Sequence, residues 1–246
     1  AGGAATAGCC AQMVGFAVMS FKENGWGGLL AQGLGTSMLQ IEGGFPDAAA
    51  YTVLPDRMEA ATFLAAAASA GGDLCLERTR PGDYGPVIQV LRAAGCRIEE
   101  GPGEVRIHGP ERLQSVPPIR TAPYPGFPTD AQPLVMSMAA VGRGTSIFVE
   151  TIFENRYKHA EGLQRLGANI KVEGKVAIVE GMEQLRGAPV MSHDLRGGAA
   201  LVVAGLCAKG RTEVGGVEYI RRGYENLAGN LASLGARIRE VGEPTP

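Results

Sequence analysis

Three carboxylates and three guanidinium groups draw attention because their settings recur. Asp56, Asp130 and Asp194 each precede an apolar run with the composition of a helix, in Pro55-Asp56-Arg57, Thr129-Asp130-Ala131 and His193-Asp194-Leu195. An aspartate placed there accepts hydrogen bonds from the free N–H groups of the first helical turn, so capping accounts for all three by position. Arg80, Arg156 and Arg222 each fall where the chain should pass from a strand into the next helix. A guanidinium beside a helix N-terminus suits phosphate or carboxylate, and three of them would build an anion site; three solvated loop arginines are the plainer alternative. Other chemistries find less support. There is no Gly-x-Ser-x-Gly elbow, the contiguous Ser192-His193-Asp194 says nothing about a triad, and Gly33-Leu34-Gly35 lacks the third glycine of a dinucleotide loop. His108, His159 and His193 are scattered without metal-ligand spacing, and no Cys-x-x-Cys occurs, so no structural zinc is expected. Cys75, Cys96 and Cys207 lie among Leu, Ala and Val and read as small buried hydrophobes.

The elements that carry these residues repeat at a spacing of roughly 70 residues. The first copy, Asp56 to Gly109, has an Ala-rich helix, a turn at Gly71-Gly72 and a strand at Leu74-Cys75-Leu76-Glu77. A second helix from Tyr84 to Ala94 is stopped by Gly95, and strands at Cys96-Arg97-Ile98-Glu99 and Glu104-Val105-Arg106-Ile107 follow. The second copy repeats the order with a helix around Leu134-Val135-Met136, a strand at Ile147-Phe148-Val149, a helix closed by Leu166-Gly167, and strands at Asn169 to Val172 and Val176 to Val179. The third has a helix from Ala199 to Cys207, a strand at Thr212-Glu213-Val214, a helix closed by Leu234-Gly235 and one last strand, Arg237 to Glu240. The expected fold class is therefore α/β, a pseudo-threefold domain of βαβαββ-like repeats over residues 54–246, patterned from Leu54 to Gly242. Residues 1–53 read as the remnant of a preceding repeat or domain. Ser37 to Gly43 would be its last strand, and the first 35 or so residues are irregular.

Composition bounds the reading. The 246 residues are 45% hydrophobic and 20% charged, which suits a globular core, and the formal charge of −2, without a basic block, argues against a nucleic-acid surface. The 37 glycines demand frequent turns but show no Gly-X-Y period. Five cysteines, an odd number in a chain too large to need staples, fit a reducing cytoplasm. Ala1 to Phe21 lacks charge, yet it also lacks a basic n-region and is diluted by Gly, Thr, Ser and Gln, so neither a signal peptide nor a membrane span is expected.

Arg120-Thr121-Ala122-Pro123-Tyr124-Pro125-Gly126-Phe127-Pro128-Thr129-Asp130, with Phe153-Glu154-Asn155-Arg156-Tyr157, Asp194-Leu195-Arg196 and Arg222-Gly223-Tyr224-Glu225, closely resembles the UDP-N-acetylglucosamine 1-carboxyvinyltransferase family of enolpyruvyl transferases, over about Thr36 to Glu243. The resemblance implies a two-domain enzyme, each domain made of three repeats, that commits UDP-N-acetylglucosamine to bacterial peptidoglycan and hence to cell-wall growth, shape and division. Its reaction adds the sugar 3-hydroxyl to C2 of phosphoenolpyruvate and then eliminates phosphate, with no metal or organic cofactor. The substrates implied are UDP-N-acetylglucosamine and phosphoenolpyruvate, the partner is the N-terminal domain of the same enzyme, and the setting is cytoplasmic, with neither nucleic acid nor membrane involved. Carried over by resemblance, Asp130 contacts and deprotonates the sugar hydroxyl, Ile152 makes a backbone contact to the sugar nucleotide with Phe153 beside it, Arg156, Arg196 and Arg222 line the phosphoenolpyruvate side, and Asp194 faces the same cleft.

The family's proton-donating cysteine loop has no counterpart in the chain, and neither Cys9-Cys10 nor Phe21-Lys22-Glu23-Asn24 supplies the family's early motifs. The match is to the C-terminal half of the enzyme, so the chain alone is expected to be inactive. The competing readings are a non-catalytic form that keeps one wall of the cleft, the sister enzyme of the shikimate pathway, and an unrelated scaffold of α/β repeats, which would leave these matches as coincidences.

Overall fold

A computed structural model describes residues 53–242. The readings made above for residues 1–52, including the strand at Ser37 to Gly43, lie outside the described residues. In chain order the elements are α1 (Arg57–Ala70), β1 (Asp73–Glu77), α2 (Gly85–Ala93), β2 (Arg97–Gly101), β3 (Glu104–His108), β4 (Ile119–Arg120), α3 (Gln132–Ala139), β5 (Thr145–Val149), α4 (His159–Arg165), β6 (Asn169–Glu173), β7 (Val176–Glu180), β8 (Pro189–Met191), α5 (Leu195–Cys207), β9 (Glu213–Gly215), α6 (Val217–Arg221) and α7 (Leu227–Ser233).

Helix α1 starts where the Asp56 carboxylate accepts the N–H groups of Met58 and Glu59, and stops at Gly71, whose φ of 67° is open to glycine and strained for other residues. Its buried residues, Met58, Ala60 to Ala66 and Ala68, surround the helix rather than forming one stripe, which suits an interior position. All eight residues of α3 are buried, and α5 buries Gly197 to Leu201, Val203 and Ala204. These three helices pack on one another at the centre, with Ala and Gly at the contacts allowing close approach.

The sheets lie outside them. The first has the order β1-β3-β2, antiparallel throughout; the second has the order β4-β5-β7-β6, parallel only at β4–β5. Burial alternates along β3, β5 and β7, so Val105, Ile107, Phe148, Ala177 and Val179 face the helices while the other face meets solvent. The triplicated α/β fold read from the sequence is present, with helices inside and sheets outside.

The third repeat departs from expectation in three places. Helix α5 begins at Leu195, four residues before the anticipated Ala199, because Asp194 caps it through the Gly197 N–H. The segment before Leu234-Gly235 is split into α6 and α7. Arg237 to Glu240 is not a strand: among the described residues the third sheet is β8 paired parallel with β9. The physical reason is visible in the second repeat, where β6 reaches β5 only through β7; among the described residues the third repeat has no counterpart of β7, so residues 237–240 have no ladder to join there. An open groove beside β9 is lined by apolar residues such as Phe63, Val214, Leu231 and Ile238 and by charged ones such as Arg211 and Glu240. Among the described residues no helix is long and apolar enough to cross a membrane.

Candidate functional site

The N-terminal ends of α1, α3 and α5 are joined by side-chain bonds, and the joint contains most of the residues singled out from sequence. Asp56 and Asp194 are helix caps, as their positions suggested. Asp130 is not. It lies in the 3-10 turn Thr129–Ala131, which has no side-chain cap, and its carboxylate turns to arginine instead. Arg156 Nη2 donates to Asp130 Oδ1 at 2.7 Å and Arg196 Nε approaches Oδ2 at 3.5 Å. The two arginine side chains are 19% and 12% exposed, whereas that of Asp130 is 42% exposed, so the carboxylate remains open to a ligand while its partners are fixed. Two guanidinium groups share one carboxylate here, which leaves cationic capacity for an anion. The Arg156 Nε is buried and hydrogen-bonds to nothing among the described residues.

Arg196 is held from behind by a directed chain of hydroxyls. Thr62 Oγ1 donates to the Met58 carbonyl at 2.8 Å, which commits its only proton. Tyr224 must therefore donate to Thr62 Oγ1 at 2.7 Å, and its oxygen is then free to accept from Arg196 Nη1 at 3.0 Å. Burial works against the charge of Arg196, but Tyr224, Asp130 and Asp56 outweigh it and hold the guanidinium above its ordinary value. Burial in turn pushes the Tyr224 phenol up, so the tyrosine stays neutral.

Ile152 and Phe153 form an exposed apolar rim on the same side, with the Phe153 ring centroid 5.3 Å from Arg156 Cζ. Their position is set by Glu150, whose carboxylate accepts from the Ile152 and Phe153 N–H groups and from the hydroxyls of Thr121 and Thr129. Burial would raise the Glu150 carboxyl, but these four donors prevail and hold it below the usual carboxylate range. With its N–H spent, Ile152 has only its carbonyl to offer a ligand.

His159 lies behind Arg156 and beside Asp194, buried, and neither ring nitrogen makes a well-formed hydrogen bond among the described residues. Burial pushes its pKa down to about 4; the Asp194 charge and the Arg156 backbone oppose this and the Arg156 charge adds to it, so the imidazole is neutral. Gly197 permits this packing, since a Cβ there would stand 2.9 Å from Asp194 Oδ2 and 3.0 Å from His159 Cβ. Arg222 is exposed at the end of α6, and among the described residues no hydrogen bond or ion pair holds its side chain. Arg80 pairs at the surface with Asp83 and does not join the cluster.

The structure thus brings together Asp130, Arg156, Arg196 and Phe153, with Ile152 attached through Glu150; it leaves Arg222 two residues from the Tyr224 that anchors Arg196. Sequence reasoning missed Glu150, Thr62 and His159. The only local signal for Glu150 is a carboxylate directly after an apolar strand, which is common at strand ends.

Residues 31–231 match the family described as EPSP synthase (3-phosphoshikimate 1-carboxyvinyltransferase), and residues 1–44 match the family described as Phosphotransferase system, EIIC. A UDP-N-acetylglucosamine 1-carboxyvinyltransferase of Desulfofundulus thermocisternus is 49% identical over 213 residues, 86% of this chain and 87% of that protein. The enzyme of the same name from Thermodesulfovibrio yellowstonii is 44% identical over 216 residues, 87% of this chain and 52% of the relative, so the chain spans about half of that longer protein. Among solved structures, the enolpyruvyl transferase NikO from Streptomyces tendae superposes with a TM-score of 0.69 at 29% identity, over 77% of this chain and 45% of that one. An EPSP synthase from Acinetobacter baumannii, at TM-score 0.52 and 22% identity over 67% of this chain and 39% of its own, shares the fold.

Proposed function

Because the chain belongs to the UDP-N-acetylglucosamine 1-carboxyvinyltransferase family of EPSP synthase-like enolpyruvyl transferases, we propose that it forms one wall of a site that moves the enolpyruvyl group of phosphoenolpyruvate to the 3-hydroxyl of UDP-N-acetylglucosamine. The observation that carries this reading is Asp130, an accessible carboxylate fixed between two largely buried arginines. In the addition step Asp130 takes the hydroxyl proton as the sugar oxygen bonds to C2 of phosphoenolpyruvate, while C3 receives a proton from a donor outside this chain. In the elimination step the C2–O bond to phosphate breaks and the C2–C3 double bond re-forms with loss of a C3 proton. Arg156, Arg196 and Arg222 hold the carboxylate and phosphate of the substrate and stabilise the charge on the departing phosphate, a role that suits planar, permanently charged groups. Ile152 offers its carbonyl, and Phe153 its ring, to the sugar nucleotide; Asp194 orders the first turn of α5 beside them. The names of relatives at 44–49% identity support this substrate over shikimate 3-phosphate.

The partner in this reading is an N-terminal enolpyruvyl transferase domain, which brings the proton donor and further anion contacts. The groove beside β9 suits one extended strand from such a partner. Peptidoglycan precursor synthesis in the cytoplasm, and through it cell-wall growth, shape and division, is the corresponding cellular role. The test is Asp130→Asn in the chain combined with that domain. The substitution keeps the shape and removes the base, so phosphate release should fall about 10²- to 10⁴-fold; a rate near that of the unaltered protein would refute the assignment.

A further inference from the structure

We propose that Glu150 is the positioning residue of this wall: one buried carboxylate fixes both the Ile152–Phe153 rim and the Thr129 that precedes Asp130. The inference rests on reading Asp130, Ile152 and Phe153 as the surface that meets the sugar nucleotide.

Glu150 is 1% exposed. Its Oε1 accepts from Thr121 Oγ1 at 2.8 Å, Ile152 N at 2.8 Å and Phe153 N at 3.1 Å, and its Oε2 accepts from Thr129 Oγ1 at 2.9 Å. No cation shares this carboxylate among the described residues; hydrogen bonds alone compensate its burial. A buried unpaired charge is an expensive way to close a turn, and a neutral side chain would serve if only folding were at stake. What a carboxylate alone provides is two oxygens that accept and never donate, so that four donors from three separated segments can meet at one point. Glutamine in its place can keep an oxygen for Thr121, Ile152 and Phe153 only by turning its NH₂ group toward Thr129, which reverses that bond, and its neutral oxygen holds the other three donors less strongly.

The three segments are the ones the site needs held together. Thr121 follows β4 and is clamped a second time to the segment after the neighbouring β5, since its hydroxyl accepts from Thr151 N at 2.9 Å. Thr129 is the residue before Asp130, and residues 152–153 are the rim itself. Because both rim amides point inward to Glu150, the Ile152 carbonyl and both side chains are left for the outer face, where Ile152 is 40% and Phe153 48% exposed. Glu150 thus links the register of the rim to that of the carboxylate.

The experiment uses the full 246-residue chain with Glu150→Gln, Glu150→Asp and Thr129→Ala, and reads amide hydrogen exchange residue by residue, the side-chain ¹³C signal of Asp130, and titration with UDP-N-acetylglucosamine. Glu150→Gln is expected to reverse the bond to Thr129 and so move the Asp130 signal, to speed exchange at Ile152 and Phe153 about fivefold because a neutral oxygen replaces a charged one, and to leave β6 and β7 as protected as before. Glu150→Asp, which keeps an acceptor-only carboxylate on a shorter stem, should retain part of that protection. Thr129→Ala should move Asp130 while leaving the two rim amides protected, and it carries the test alone if Glu150→Gln does not fold. Unchanged exchange at Ile152 and Phe153, an unmoved Asp130 signal in both Glu150→Gln and Thr129→Ala, or protection lost equally throughout β5, β6 and β7 would each overturn the proposal. The sugar-nucleotide arm separates the two readings. Absence of binding to the unaltered chain counts against the site assignment and leaves the exchange result to decide Glu150, whereas equal affinity for the unaltered and Glu150→Gln chains removes the link between them.

Discussion

His159 should make this domain lose stability in mild acid. Its folded pKa of about 4 stands below the ordinary 6.5 because the ring is buried. As pH falls through 6.5 the unfolded chain gains a proton that the folded chain refuses until about 4, so the contribution is complete above 6.5 and is lost as pH falls. With 2.303RT per proton and pH unit, the loss is about 2 kcal/mol at pH 5 and about 3 kcal/mol at pH 4, a large share of a typical domain stability. Glu150, held below the carboxylate value of 4.5, acts in the same direction but in a lower window, beneath 4.5. Glu59, raised above 4.5 by burial and by Asp56 and Glu225, acts in the opposite sense, its contribution being lost as pH rises. His159→Leu isolates the histidine. It fills a similar volume and orphans no partner, so at pH 7.5 the variant should match the original to within about 1 kcal/mol. Urea unfolding at pH 7.5, 6.5, 5.5 and 5.0 is the assay: the unaltered chain should lose about 2 kcal/mol across the series and the variant less than half of that. Equal losses in both chains would refute the argument, because the titrating group would then lie elsewhere.

Tyr224→Phe removes the acceptor that anchors Arg196 and should cost about 2 kcal/mol by chemical unfolding, with most of that cost absent when Arg196→Gln is already present. Arg222→Lys keeps the charge but loses the planar fork; in the chain combined with its partner domain it should raise the KM for phosphoenolpyruvate about tenfold, the worth of one charged hydrogen bond, with an unchanged melting temperature. The 246-residue chain alone should release no phosphate above background from the two substrates. It should also self-associate in light scattering through the open edge of β9, and exchange at Ile238 should be faster than at Ile170; a monodisperse monomer with both equally protected would show that another segment fills the groove.

The sequence by itself determined the elements whose signals are local. The apolar runs of α1 and α3, the left-handed glycines Gly95 and Gly167 after helices, and the alternation in β3 and β7 depend on residues within a few positions of one another, and the structure follows them within a residue or two. Recurrence of those local signals revealed the triplication, and the motif matches identified the family. Tertiary structure decided what depends on distant partners. Arg237 to Glu240 has the pattern of a strand but, among the described residues, no neighbour to complete a ladder, so pattern alone could not make it one. Asp130 occupies the position of a cap, like Asp56 and Asp194, yet Arg156 and Arg196, 26 and 66 residues away, draw its carboxylate into the site. Glu150 gathers hydroxyls from 29 and 21 residues earlier in the chain. A hydrogen bond depends on where two groups stand in space, and only the packing of α1, α3 and α5 brings these groups to one place.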